Sequence, residues 1–124
     1  MGEILLYIGS IVILVWGIAH IFPTKNVVAG FGELSPDNKK ILTMEWIAEG
    51  LTLIFIGALV LLITIFYDPF NSVAVFVILA SAVMLVSLAI LSFFTGFRTS
   101  IIPVKICPFV KIAVAILFLL FVVI

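Results

Sequence analysis

The chain has 124 residues, of which 66% are hydrophobic and 10% are charged, and its six basic and six acidic residues leave no net charge. A water-soluble domain of this length needs a polar exterior that such a composition does not supply, so a soluble globular protein is excluded. The composition predicts an integral membrane protein whose apolar surface contacts the lipid bilayer.

Four apolar stretches run through the chain, at about residues 4–22, 45–67, 70–95 and 107–124. Each is close to the roughly 20 residues that a helix needs to cross about 30 Å of hydrocarbon. We therefore predict one all-α domain, residues 1–124, built as a bundle of four transmembrane helices. Segments 23–44 and 96–106 connect the helices on one side of the membrane.

The first stretch follows the acidic residue Glu3, where a signal peptide would be basic, so we expect a retained helix. Gly9, Trp16, Gly17 and His20 recur at helical spacing and share one face. The two glycines on that face permit close approach of a neighbouring helix. Pro23 marks the expected end of this helix.

The run Ser35-Pro36-Asp37-Asn38 has the features of a helix start, with Ser35 as N-cap and Pro36 at the first helical position. The second helix is expected to begin near Pro36 and to continue to about Tyr67. At about 1.5 Å per residue it measures about 46 Å, which exceeds the hydrocarbon core. Its first two turns should therefore stand in the headgroup zone.

Asp68-Pro69 predicts a tight hairpin into the third helix. A stripe of small, hydroxyl and apolar residues on that helix is typical of a helix–helix seam; it comprises Ala74, Ser81, Leu85, Leu88, Ser92 and Thr95. Because Pro103 and Pro108 interrupt the chain, we expect the fourth helix to start near Cys107-Pro108. At about 25 Å it would be a short span.

The six basic residues lie in or beside two of the three connecting regions, and they are Lys25, Lys39, Lys40, Arg98, Lys105 and Lys111. The positive-inside rule places these regions in the cytoplasm, with both termini outside. We expect the plasma (inner) membrane of a prokaryote. Anionic lipid headgroups account for the basic face, so no nucleic-acid partner is expected.

Glu49 and His20 are the candidate catalytic residues, because an intramembrane carboxylate is costly unless it is protonated or paired. We expect His20, Arg98 or Lys111 to partner Glu49 in a polar pocket that opens toward the cytoplasm. Five further residues are candidate ligand contacts: Glu45, Trp16, Thr52, Arg98 and Lys111. The competing interpretation has Glu45 solvated, Lys111 snorkelling to the interface, His20 in a packing contact and Arg98 as a headgroup anchor.

One histidine and two carboxylates are too few ligands to predict a metal site, and no motif indicates a cofactor. Cys107 is the one cysteine, so an internal disulfide is excluded. We expect it to serve in packing; nearby lysines would make it reactive if it were wet, and juxtamembrane palmitoylation is a further alternative.

The run Glu49-Gly50-Leu51-Thr52-Leu53-Ile54-Phe55-Ile56-Gly57-Ala58-Leu59-Val60-Leu61-Leu62 resembles the glycine-punctuated second helix of DoxX-like small membrane proteins. Chain length and the four-span layout are similar as well. The resemblance implies a membrane-associated redox or quinone-linked role. The chain departs from that pattern at Trp16 and His20, in its long charged first loop and at Cys107-Pro108.

The sequence thus supports three functions and does not decide whether the protein is an enzyme. In the first, a pocket in the cytoplasmic leaflet binds or acts on a lipophilic or headgroup ligand through Glu49 and His20. In the second, the chain is an accessory or scaffold subunit whose seams hold other membrane helices. In the third, it is a small proton-coupled transporter, which would need to form a homo-oligomer to enclose a path.

Overall fold

The computed structural model describes residues 2–95, 99–100 and 102–124. Within them the chain forms five helices and no strand: α1 (Glu3–Ile21), α2 (Thr24–Ala29), α3 (Pro36–Phe66), α4 (Ser72–Thr95) and α5 (Ile102–Val123). Four of the described helices, all but α2, are long and apolar enough to cross a membrane. The prediction of an all-α, four-helix membrane bundle is confirmed.

The start of α3 agrees with the sequence prediction in detail. The Ser35 side chain accepts a hydrogen bond of 3.1 Å from the Asn38 N–H, Pro36 occupies the first helical position, and Asp37 lies in the first turn. This cap satisfies a backbone donor that the first turn would otherwise leave free. The helix has 31 residues and is therefore about 46 Å long.

Two local features differ from the sequence prediction. The connection after α1 is not wholly irregular, because Thr24–Ala29 forms the short helix α2, which packs on α3. The last helix also begins earlier than expected, at Ile102, and continues through Pro108. Proline is tolerated in the first turn of a helix, and inside a membrane helix neighbouring groups compensate for the missing N–H. With 22 residues, α5 is about 33 Å long and no longer a short span.

The four long helices pack as two pairs that meet through α1 and α5. α1 lies mainly against α3, α4 lies mainly against α5, and α3 makes only slight contact with α4. The shared interior is apolar, with Leu6, Ile13, Leu53, Leu85 and Phe118 fully buried. Most large apolar side chains that remain exposed lie on the outer helix faces, where lipid would cover them.

Glycines bring the backbones of α1 and α3 unusually close. A Cβ at Gly17 would lie 2.9 Å from the Gly50 carbonyl oxygen, and one at Gly57 would lie 2.8 Å from the Ser10 carbonyl oxygen. Gly9 faces a different helix, because a Cβ there would meet the Phe118 ring of α5 at 2.8 Å. The two glycines predicted on one face of α1 therefore serve two different neighbours.

Candidate functional site

One end of the bundle carries a cluster of polar side chains, to which each long helix contributes one residue. We call it the polar cluster, and its members are His20 of α1, Glu49 of α3, Ser92 of α4 and Lys111 of α5. The antiparallel order of the helices brings these positions together, since α1 and α4 end here while α3 and α5 begin here. Glu49 and Lys111, which are 62 positions apart in the chain, therefore meet at this end.

Lys111 lies at the centre of the polar cluster. Its side chain is 0% exposed, its ammonium group forms an ion pair and hydrogen bond with Glu49 Oε1, and it donates a second bond of 2.7 Å to Ser92 Oγ. An unpaired ammonium in such a place would be strongly unfavourable, so these partners are what makes its burial possible. The expectation that Lys111 snorkels to the interface is wrong, because the charged end points into the bundle.

The second carboxylate oxygen of Glu49 faces the histidine of α1. His20 Nε2 lies 3.5 Å from Glu49 Oε2, and the imidazole side chain is 7% exposed whereas the Glu49 side chain is 28% exposed. His20 Nε2 is buried, and within the described part of the chain it has no hydrogen-bond partner. A buried polar atom without a partner is uncommon in folded proteins, and it often marks a place where chemistry or a ligand is involved.

Trp46 covers the other side of the histidine. The indole and imidazole rings stack with their centroids 4.0 Å apart and their planes at 14°, and the indole Nε1 donates a hydrogen bond of 2.6 Å to the His20 carbonyl oxygen. Trp46 precedes Glu49 by three positions on α3, so one helical turn carries both the stacking partner and the carboxylate. The position of the imidazole is therefore fixed from two directions.

A cavity of about 340 Å³ adjoins this stack, and we call it the tryptophan cavity. Its walls are mainly apolar and come from α1, α2, α3, α5 and the α1–α2 junction: Trp16, Ala19, His20, Pro23, Val27, Trp46 and Ile106. Trp16 is held in place by its Nε1, which donates to the Cys107 sulfur at 3.3 Å. The volume is in the range of small-molecule sites, and apolar walls with a few polar groups are typical of them.

A second, smaller cavity of about 180 Å³ lies where Glu49 is accessible, and we call it the acidic pocket. Its walls are formed by Val27, Val28, Phe31, Leu42, Glu45, Trp46 and Glu49. Trp46 and Val27 border both cavities, so the two share a wall. Glu45 is exposed, whereas Glu49 connects the pocket to the buried ammonium of Lys111.

The structure brings together most of the residues that the sequence singled out. Of the three partners considered for Glu49, both His20 and Lys111 lie beside it, and Arg98 lies outside the described residues. Thr52 stands apart, because its hydroxyl donates at 2.8 Å to the Ala48 carbonyl of its own helix and it lines neither cavity.

Sequence reasoning missed two members of this end of the bundle. Ser92 lies at a contact between α4 and α5, as a seam residue should, but its hydrogen bond from Lys111 is not predicted from the sequence. Trp46 is not among the candidate site residues predicted from the sequence, yet it stacks on His20. A signal existed for Ser92, since it lies among the last residues of α4, at the end where the other polar positions collect. Cys107 is buried, in agreement with the packing interpretation.

The chemistry available here is that of hydrogen bonding, ion pairing and proton exchange among a carboxylate, an ammonium and an imidazole. Within residues 2–95, 99–100 and 102–124, no three His, Cys, Asp or Glu side chains come together in a way that could hold a metal ion. Comparisons of the chain with protein-family models, with curated proteins and with solved structures find no match.

Proposed function

We propose that the protein binds a lipophilic small molecule in the tryptophan cavity, with Glu49 and His20 as the polar contacts of its head. The observation that carries the proposal is the unpartnered His20 Nε2, which is buried beside a carboxylate at the edge of a cavity of ligand size. Apolar walls of two indoles and aliphatic side chains suit a ligand that arrives through the bilayer.

We further propose that this end of the bundle lies in the cytoplasmic leaflet of a prokaryotic plasma membrane. Lys25, Lys39, Lys40 and Lys105 all belong to the segments at this end, as the positive-inside rule requires of a cytoplasmic face. A reporter that is active only in the cytoplasm should be inactive when fused after Ile124. Activity of that fusion would overturn the orientation and leave the binding proposal intact. Membership of the DoxX-like family likewise stays a proposal.

The direct test is native mass spectrometry of the protein released gently from its own membrane. We expect a retained small molecule or lipid of defined mass, and its loss in the His20→Gln and Glu49→Gln variants at normal protein levels. A retained second polypeptide would support the accessory-subunit role instead. A chain without any adduct would count against stable ligand binding.

A binding assay can use the two tryptophans of the chain, since both line the tryptophan cavity. The probe is 12-bromo-1-dodecanol in nanodiscs, because bromine quenches tryptophan fluorescence on contact. We expect saturable quenching in the natural chain. The matched control is Trp16→Phe/Trp46→Phe/Phe76→Trp, whose single tryptophan replaces an exposed side chain of α4; it should show only the unsaturable quenching that probe in the lipid causes. Unsaturable quenching in both chains would contradict the proposal.

A second function, proton transfer coupled to ligand movement, is favoured by one specific observation. His20, Glu49 and Lys111 are three titratable groups in direct succession, with Lys111 bound to one Glu49 oxygen and His20 facing the other. Such chains of groups are typical of proton relays in membrane proteins. Reconstituted liposomes with a pH-sensitive dye inside should then show ligand-dependent proton flux that Glu49→Gln abolishes. Ligand binding without flux would restrict the protein to the binding role.

A further inference from the structure

We infer that the acidic pocket receives a positively charged ammonium head, so that the ligand of the tryptophan cavity is a lipophilic amine. This inference rests on the proposed binding function and names the chemical class of its ligand. The same chemistry could come from a free amine or from a phospholipid whose headgroup carries an ammonium, and the experiment below separates the two.

The first argument is the local charge. Among the residues that the structure describes, Glu45 and Glu49 line the acidic pocket and no cationic side chain does. Lys111, which is 0% exposed, is bound to Glu49 Oε1 behind the pocket. The described lining of the pocket thus carries two carboxylates, and the ammonium of Lys111 is bound to one of them from the buried side. A cationic head therefore complements this lining better than an anionic one.

The second argument is the composition of the walls. Trp46 and Phe31 contribute aromatic rings to a pocket that also holds the two carboxylates. Ammonium groups are attracted both to carboxylates and to the faces of indole and phenyl rings. An anionic head would meet two like charges and gain nothing from the rings. The same walls thus favour a cation and disfavour an anion.

The third argument concerns the histidine beside Glu49. The His20 side chain is more than nine-tenths buried, and its unpartnered Nε2 points at Glu49 Oε2 from 3.5 Å away. A hydrogen-bond donor that approaches Glu49 from the pocket can supply the bond that this pair of atoms lacks. A primary ammonium carries three such donors, whereas a quaternary one carries none. We therefore expect primary amines to bind best.

The two cavities adjoin in a way that suits one amphiphilic molecule. They share Trp46 and Val27, and together they place a carboxylate-lined space beside a larger apolar one. An ammonium on an alkyl or aryl body would put its charge near Glu45 and Glu49 and its apolar part against Trp16 and Ile106. Neither cavity alone combines the charge with the volume.

The test is a competition against 12-bromo-1-dodecanol in nanodiscs of a glycosyl diacylglycerol, a lipid without an ammonium group. Dodecylammonium, dodecanol and laurate have the same chain and differ in charge. We expect dodecylammonium to relieve the saturable quenching at a concentration about tenfold below that of dodecanol, and laurate to be the weakest. Equal potency of the amine and the alcohol would overturn the inference while leaving the binding function intact. Absence of saturable quenching would instead overturn the binding function itself.

Two variants test whether the carboxylates of the acidic pocket cause the preference for dodecylammonium over dodecanol. Glu45→Gln removes one carboxylate from an exposed position, so it should fold normally and reduce the advantage of dodecylammonium while dodecanol competes as before. Glu33→Gln is the matched control, since it removes an exposed carboxylate from the connection that precedes α3 without touching either cavity. If Glu33→Gln weakened the amine as much as Glu45→Gln, the preference would reflect general surface charge and the inference would be wrong.

A second arm of the competition experiment shows whether the ammonium belongs to a lipid headgroup or to a free amine. Phosphatidylethanolamine is added to the same nanodiscs in place of dodecylammonium. If it relieves the quenching as strongly, the ligand head is that of a lipid. If dodecylammonium alone does so, the ligand is a free lipophilic amine. Failure of both to compete better than dodecanol contradicts the inference.

Discussion

The two ends of the bundle satisfy their buried polar groups in opposite ways. We call the end of the bundle opposite the polar cluster the apolar end. Toward it, the buried hydroxyls of Ser10, Thr64 and Ser81 each donate to a carbonyl three or four residues earlier in their own helix. In the polar cluster the bonds run between helices: Lys111 of α5 reaches Glu49 of α3 and Ser92 of α4. The first arrangement holds a single helix, whereas the second holds three helices to one another.

This difference indicates which end determines how the helices are arranged. Lipid tails are as apolar as leucine, so apolar helix faces gain little from the hydrophobic effect when they pair in a membrane. Shape and close contact remain, and they tolerate some rotation of a helix. A buried ion pair tolerates little, because a wrong rotation would leave a charge in hydrocarbon. We therefore expect the polar end to fix the helix arrangement and the apolar end to fill space.

The largest effect should come from Lys111→Met, which removes the ammonium and leaves the Glu49 carboxylate without its partner. Breaking a buried ion pair costs about 3–5 kcal/mol, and the partial exposure of Glu49 favours the lower part of that range. Reversible unfolding in nanodiscs measures the free energy. Glu49→Gln/Lys111→Met should recover most of the loss, and a double variant as unstable as the single one would contradict the pairing argument.

The apolar end is tested by Phe118→Ala, which empties the space beside Gly9 at the α1–α5 contact. Such a truncation costs about 3–5 kcal/mol in a water-soluble core, but lipid removes much of the transfer contribution, so we expect about 2–3 kcal/mol. Leu119→Ala, at a more exposed position on the same helix, is the control and should have little effect. A loss larger than that of Lys111→Met would reverse the comparison between the two ends.

Gly17→Ala tests the close contact of α1 and α3 near the polar end. The added methyl group would lie 2.9 Å from the Gly50 carbonyl oxygen, which belongs to a helix backbone and cannot rotate away. Overpacking of this kind costs about 1–3 kcal/mol, and we expect about 2. Gly30→Ala is the control, because its nearest contact would be 3.2 Å within its own turn. Similar unfolding free energies for the two variants would show that helix separation here is adjustable.

The smallest effect should come from Ser92→Ala. It removes one acceptor from Lys111 and leaves the ion pair in place, so we expect about 1–1.5 kcal/mol in the unfolding free energy. Ser87→Ala is the control, because its exposed hydroxyl donates only to the Val83 carbonyl of its own helix. An equal effect of the two changes would mean that the bond between α4 and α5 contributes no more than a local one.

The sequence predicted those features that depend on local chemistry or on helix periodicity. The Ser35 cap follows from neighbouring residues alone, and His20 and Lys111 were among the partners considered for Glu49. The rotation of each helix about its axis depends on the neighbour that it meets, so the stacking of Trp46 on His20 and the bond from Lys111 to Ser92 needed the structure. The start of α5 was misplaced because proline rules from water-soluble helices were applied to Pro108 inside a membrane span.

The unequal lengths of the helices have a consequence for membranes of different thickness. α1 has 19 residues and is about 28 Å long, whereas α4, α5 and α3 have 24, 22 and 31 residues. Hydrophobic mismatch in a thick bilayer therefore acts first on α1, which has no surplus length to absorb it. His20 is in the last turn of that helix, so the acyl-chain length of the host lipid affects the position of the imidazole.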